Sequence, residues 1–466
     1  MDLLYVIPGH SGSCDEATLS WTLPFLQPSP PRLSLVDLQK SPVLAVEYQM
    51  ELTGDSVAET VLKKFNALPK KRKPIQRADH RREWVPLAGI VAEGEDGLTC
   101  LALGTGMKCL PSNKIPEANG TVLHDWHAEV VALRSINRFL LEECRKIALS
   151  KDESSKYVRR RTADEITLID FRPFTIREDV KLHMYCSEAP CGDASMELTM
   201  AAQDDATPWA IPGPASPTAT DSSMPGRGYF SNLGIVRRKP SRPDAPSTLS
   251  KSCSDKITLK QITSVLSSMT SLLISPENAY LQTLTLPESQ YVASGCERCF
   301  SPRGRLKDLQ MPPGGGYSFR DFRMMTTERE FAYSRRDADG SPLLSDAISP
   351  SNIAASWSPY FEETLIGGVL QGRKQNDPRG ASVLCKKSMW ELAHDITKLL
   401  DSGDTSPVES YSPVELESGA VEGCKTYEDM KQSPLLRDRI RAKNHARKTL
   451  KGWVRNDGDE RFTLDK

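Results

Sequence analysis

The feature that most limits how this chain can fold is the stretch HDWHAEVVALRS, residues 124–135. It sets His127 and Glu129 two residues apart where an amphipathic helix begins. Capping and ordinary helix-end polarity account for such a pair without any chemistry. A metal ligand beside a proton carrier also accounts for it, and that reading needs further ligands elsewhere in the chain. Along WHAEVVALRSINRFLLEECRKI the apolar residues Val130, Leu133, Ile136 and Leu140 recur at helical spacing, which predicts a long helix that buries this face.

The segments around that helix set the fold class. WVPLAGIVAEGEDGLTCLALGTGMKCL reads as two strands about a glycine-containing turn, and SVAETVLKKFNALPKK, upstream, as a helix packing Val57, Val61, Leu62 and Phe65. LHMYCSEAP reads as a strand running into a turn, after which CGDASMELTM restarts a helix with Cys191 in its first turn. Strands and helices in this succession predict a layered α/β domain. Residues 1–54, with little periodicity, read as a poorly ordered extension, 55–457 as the domain and 458–466 as a tail. Flexible insertions are expected near 204–228 (Pro/Ser/Thr-rich), 311–350 (opening on a Gly-rich stretch, 311–322, whose glycines read as hinge or linker) and 400–425 (acidic). A final basic helix is expected over 431–452.

The net charge of −1 points to no partner, but its distribution does. Residues 61–83 carry nine Lys and Arg against Asp79 and Glu83, and residues 431–455 carry nine against Asp438 alone. The acidic stretch 399–430 masks them in the total. A basic run is most often merely solvated, yet two on one enzyme-like chain fit a polyanionic partner. No apolar run of about 18 residues suggests a membrane span, and the N-terminus does not read as a secretory signal. Eleven scattered cysteines then fit a reducing compartment, nucleus or cytosol.

A catalytic zinc takes three protein ligands and keeps a position open. Zinc base deaminases carry H-x-E followed by P-C-x-x-C. Here HAE supplies the first half and Pro190–Cys191 the start of the second, but residue 194 is alanine where the second cysteine belongs. SKSCSDKITL offers Cys253, 62 residues after Cys191; Cys186 in CSEAPC competes as a ligand. CERC, residues 296–299, lacks a partner pair and reads as two free thiols.

HAEV, PCGDAS and SCSDKI, in that order, resemble the adenosine deaminases that act on RNA, in which the second zinc cysteine is displaced into SCSDK. GTGMKC, GRGYFSNLGIVRRKP and ASVLCKK extend the likeness over roughly 55–310 and 350–457. The family includes RNA editing enzymes and the eukaryotic tRNA-specific deaminases that make inosine beside the alanine anticodon. The resemblance implies a three-layer α-β-α core of the cytidine-deaminase type, with extra helices and insertions. It implies zinc on His127, Cys191 and Cys253, with Glu129 moving protons between water, N1 and the departing amine. With no double-stranded-RNA-binding module expected in the roughly 50 residues before the domain, tRNA is the favoured substrate, at the adenosine 3′ of the alanine anticodon (position 37). The alternatives are an editing deaminase of duplex RNA or messenger RNA, a cytidine-type deaminase, and a catalytically silent RNA-binding protein on the same fold.

Editing members of the family also hold inositol hexakisphosphate in a basic core behind the zinc. The matching positions are Arg134, Lys256, Lys386, Tyr427, Lys431 and Trp453. Agreement is partial: Leu259 stands where the family has arginine, and His124 where it has asparagine. Contacts to the RNA backbone are expected from Lys108, Arg237, Arg238 and the 63–82 basic run. Asp193 is expected near the zinc, as a helix cap or as support for the site.

Overall fold

In a computed structural model, residues 52–464 are described, apart from 151, 168, 203–229, 240–245, 312–313, 345 and 403–422. All belong to one compact unit, Met50–Lys466. The strands are β1 (Arg82–Trp84), β2 (Leu87–Gly94), β3 (Gly97–Thr105), β4 (Val158–Arg160), β5 (Phe174–Ile176) and β6 (Lys181–Cys186). They continue with β7 (Leu281–Pro287), β8 (Arg323–Thr327), β9 (Ile348–Pro350), β10 (Ala354–Ser358), β11 (Phe361–Ile366) and β12 (Val369–Leu370). The helices are α1 (Gly54–Ala67), α2 (Ala128–Leu149), α3 (Met196–Ala201), α4 (Cys253–Thr263) and α5 (Thr270–Leu273). After them come α6 (Ala293–Phe300), α7 (Lys386–Ser402), α8 (Tyr427–Gln432) and α9 (Arg437–Thr449).

Eight strands form one mixed sheet in the order β12-β11-β10-β3-β2-β6-β7-β8. The β2–β3 hairpin is antiparallel, β6 pairs antiparallel with β2, and β6, β7 and β8 run parallel. Alternation along the strands sends side chains to two cores. On one face Val57, Ala58, Val61 and Phe65 of α1 pack with Val91, Leu103 and Tyr185. On the other, the apolar stripe of α2 and residues of α4, α6 and α7 meet Ala88, Ile90, Met184 and Leu284. These are the three expected α-β-α layers. Gly104 on β3 lets α2 lie this close, because a Cβ there would come within 2.6 Å of the Ala128 oxygen and Val131.

Three expectations change. The 311–350 segment is largely built into the fold: β8 forms one edge of the main sheet, β9 pairs parallel with β1, and Phe322 and Phe331 are buried. The final basic helix is interrupted, since Pro434 cannot donate a backbone hydrogen bond and a short 3-10 turn separates α8 from α9. The 458–466 segment, expected as a C-terminal tail, packs against the domain where it is described. Asp459 is buried and accepts from Gly120 N at 2.7 Å, while Phe462 stacks on Tyr427 with ring centroids 4.9 Å apart. Thr53 caps α1 with a capping box, close to the expected boundary. The 1–51 extension and most of the 204–228 and 400–425 insertions lie outside the described residues. No described helix is long and apolar enough to cross a membrane.

Candidate metal centre and the basic cavity behind it

Three chain segments meet near the C-terminal ends of the interior strands β3 and β6. His127 is the N-cap of α2, with extended backbone, and its N–H donates to Asp125 Oδ1 at 3.0 Å. Glu129 lies in the first turn of α2 and is buried. Cys191 follows β6 in a loop, and Cys253 opens α4 behind its N-cap Ser252. The two cysteine loops are laced together: Ser254 N donates to the Cys191 oxygen at 3.0 Å, and Ser254 Oγ donates to the Pro190 oxygen at 2.8 Å. Gly192, at φ +114, permits this approach, because a Cβ there would fall 2.2 Å from Ser252 Oγ. One donor atom from each of His127, Cys191 and Cys253 lies within 4.8 Å of the others, and His127 Nδ1 is 3.8 Å from Cys191 Sγ.

Cys191 therefore precedes its short helix instead of sitting in the first turn. The helix start that acts on the site is that of α4, where Cys253 N donates to Cys191 Sγ at 3.4 Å. The bond with Cys253, then Lys239 and His127, hold the Cys191 thiol well below its ordinary value. Burial and the neighbouring Cys191 push Cys253 well up. Burial and Lys239 oppose a proton on His127, but Cys191 and Cys109 together outweigh them and raise the imidazole to about 10. A nitrogen and two sulfurs in a field that attracts positive charge suit a zinc ion. Burial, then Cys191, push the Glu129 carboxyl up.

A second group, Cys109, Asp125 and His127, also brings its donor atoms within 4.8 Å. Its carboxylate is already engaged. Asp125 Oδ2 accepts from Lys239 Nζ at 2.9 Å and Ser250 Oγ at 2.8 Å, and pairs with Lys256. Burial raises its carboxyl, but the two ammonium groups outweigh burial and hold it well below the carboxylate range. Lys239 Nζ also reaches Cys253 Sγ at 2.9 Å. Asp125 and Lys239 escaped the sequence reading, although each lies within a stretch it singled out, HDWHAE and GIVRRKP; 114 residues apart, they gave no local sign that they meet. Cys186 is buried in β6 outside both groups, its thiol pushed well up by burial. Cys296 and Cys299 are buried in α6, pushed to about 11 and about 12. Asp193 caps nothing of its own; it accepts from Gly234 N at 2.8 Å and pairs with Arg298.

Behind the cluster lies a cavity of about 360 Å³ whose wall includes Arg134, Lys256, Lys386, Tyr427, Lys431 and Trp453, with His124 and Leu259. Lys251, Lys260, Arg439, Lys443, Arg447 and Arg455 join them, against the carboxylates of Asp125, Glu428 and Glu460. Crowded, buried cations lose protons: burial and neighbouring cations pull Lys251 down to about 7 and Lys431 to about 8. Lys260 and Lys443 fall well below their ordinary value for the same reasons. Arg134 Nε and Arg447 Nε are buried without a hydrogen-bond partner. His124 Nε2 meets Asp459 Oδ2 at 2.8 Å, and Lys386 Nζ donates to the Asp459 backbone oxygen at 2.9 Å. Lys256 thus stands at once in the cavity wall and on the Asp125–Lys239–Cys253 chain to the metal cluster.

The expected RNA contacts divide. Lys108 is partly exposed and donates to Asn352, and Arg238 is half-buried. Arg237 is 1% exposed, its N–H bound to Asp255 Oδ2 at 2.9 Å and its guanidinium to the Asn232 oxygen. It holds the loop before Lys239 and is not an open phosphate contact. Within the 63–82 run, Arg72 and Arg82 tie the chain to β11 and to the Ala332–Ser334 backbone, while Lys63, Lys70 and Lys71 are exposed.

Residues 102–456 match the adenosine-deaminase (editase) domain family, across the 311–350 segment as well. The tRNA-specific adenosine deaminase 1 of Schizosaccharomyces pombe is 34% identical over 417 residues, covering 87% of this chain and 96% of its own. The Saccharomyces cerevisiae tRNA-specific adenosine deaminase 1 is 34% identical over 244 residues, 50% of this chain and 58% of its own. The mouse double-stranded RNA-specific editase B2 is 33% identical over 148 residues, 30% of this chain and 18% of its own. With that reach of similarity running through all three loops that build the cluster, the chain belongs to the adenosine-deaminase (editase) domain family.

Proposed function

We propose that this chain hydrolyses adenosine to inosine and ammonia in a tRNA, at the adenosine 3′ of the anticodon of alanine tRNA, using zinc held by His127, Cys191 and Cys253. The observation that carries the reading is a buried carboxyl, Glu129, two residues from the imidazole of a three-donor nitrogen–sulfur cluster. A zinc ion held there supplies a Lewis acid that lowers the pKa of water from about 16 towards about 7. Glu129 takes the proton released and delivers it to N1 of the purine, then to the leaving amine. Its raised carboxyl suits that traffic, because a group that both accepts and returns protons works best near neutral pH. Lys239 balances the thiolate charge of Cys253 from behind.

The tRNA substrate is favoured over duplex RNA because similarity to a tRNA deaminase spans 87% of this chain, against 30% for a duplex editase. Retention of Glu129 argues against a silent scaffold, since a structural zinc has no need of it. We also propose that the cavity holds inositol hexakisphosphate. Its cations outnumber its carboxylates, and so many buried lysines are unfavourable without a polyanion to pair them. His124 and Leu259 leave fewer donors than the family pattern.

The test incubates the purified chain with alanine tRNA, a duplex hairpin RNA and cytidine, scoring inosine and uridine. Inosine in the tRNA alone is expected; inosine chiefly in the hairpin would move the chain to the editing branch. Phosphorus analysis of denatured protein tests the trapped polyanion, and background phosphorus would exclude it.

A further inference from the structure

Linked to the candidate metal centre through neighbouring segments, the structure carries an aromatic–cation pair that neither catalysis nor the basic cavity uses. Trp84 ends β1, and the Arg335 guanidinium lies over its ring, 5.0 Å from the centroid. Trp84 is partly exposed and the Arg335 side chain is 49% exposed. The pair is tied to the centre from both sides. Pro86, two residues after Trp84, accepts from Gly106 N at 3.3 Å, and Gly106 accepts from Ala128 N, between His127 and Glu129, at 2.9 Å. On the other side Arg336 is buried, donating to the Ser187 oxygen at 2.8 Å and pairing with Glu188 at 3.0 Å, three residues before Cys191.

Arg335 and Arg336 share that one carboxylate, Arg335 at the longer distance of 3.6 Å. The charge of Arg335 is therefore only partly answered within the protein, and about half of its side chain is exposed beside a partly exposed ring. We infer that Trp84 and Arg335 form a stacking platform for a base flanking the target adenosine. The inference rests on the deaminase reading above. A base taken out of its stack for chemistry leaves its neighbour without a stacking partner. Exposed aromatic rings and arginine planes are what proteins offer to such unstacked bases. A guanidinium poised over the ring adds attraction for the adjoining phosphate, so the pair grips a nucleotide and not a base alone.

The experiment measures binding of unmodified alanine tRNA transcript to the full chain, with inosine formation scored in parallel. Trp84→Ala and Arg335→Ala are each expected to weaken binding about ten-fold, the scale of one lost base stack, while Trp84→Phe stays near wild type. A transcript with an abasic residue on one side of the target should bind the wild type about ten-fold more weakly. That transcript should bind Trp84→Ala no more weakly than the intact RNA does, which a purely structural tryptophan would not produce. Equal sensitivity of wild type and Trp84→Ala to abasic residues on both sides overturns the platform, and so does wild-type binding by Arg335→Ala, whose exposed side chain leaves the fold intact. If the stacking pattern holds but wild type makes no inosine, the deaminase reading fails and the platform stands.

Discussion

Replacing Lys239 by methionine removes one buried positive charge while nearly preserving its volume. The ammonium is 3% exposed and lies 2.9 Å from both Cys253 Sγ and Asp125 Oδ2, so its loss removes a cation that both the sulfur and the carboxylate share. Removing one partner of a buried ion pair costs about 3–5 kcal/mol. Asp125 retains Lys256 and Ser250, which places the expected loss near the lower end, about 3 kcal/mol. A side chain that supports a metal ligand from outside typically contributes about 10- to 100-fold in metal affinity. Lys239→Met should therefore lower the denaturant midpoint and release zinc to a chelator at a concentration about 10- to 100-fold lower than wild type. The double variant Lys239→Met/Asp125→Asn should recover part of the stability, because it no longer buries a carboxylate that has lost one of its two ammonium partners. Wild-type zinc affinity and midpoint in Lys239→Met would refute the coupling between this ammonium and the cluster.

Glu129→Gln should keep zinc and fold but lower kcat by about 10²- to 10⁴-fold, measured as inosine formed per tRNA. Cys253→Ser should lower zinc content by metal analysis, while Cys186→Ser leaves it unchanged. Lys251 and Lys431 titrate near about 7 and about 8, below their ordinary 10.5. The unfolded chain then binds more protons between these values, so the polyanion-free protein should gain stability as pH rises from about 7 to about 10. Bound inositol hexakisphosphate requires the charged lysines, so its affinity should fall over the same range. Denaturant midpoints and calorimetry against pH check both signs. Asp459→Ala strands His124 and Lys386, and should cost about 3 kcal/mol by denaturant unfolding. No change would mean that the C-terminal segment adds nothing to the fold.

Much of the centre was legible because its residues sit in short, ordered stretches with fixed local roles. A strand–turn before Cys191 and a helix start after His127 are set by propensity and periodicity over a few residues. So the layered class, the strands β2, β3 and β6 and the helix α2 read correctly from the chain. What failed was whatever depended on a distant partner. The 311–350 segment looked like a linker by its glycines, yet Gly315 closes against Asp438 and β8 finds β7. Arg237 looked like an open basic residue until Asp255 and Asn232 claimed it.

By itself the sequence supplied one imidazole, a carboxyl and a thiol in short local motifs, His127, Glu129 and Cys191, while the second thiol, Cys253, came from the family resemblance. It also determined a surplus of cations near the C-terminus. Only the tertiary structure decided where those charges go. Burial makes an unpaired charge costly and its partner is chosen by space, so the sorting of Asp125, Lys239 and Lys256 behind the cysteines, and of ten cations around one cavity, cannot be read from neighbours in the chain.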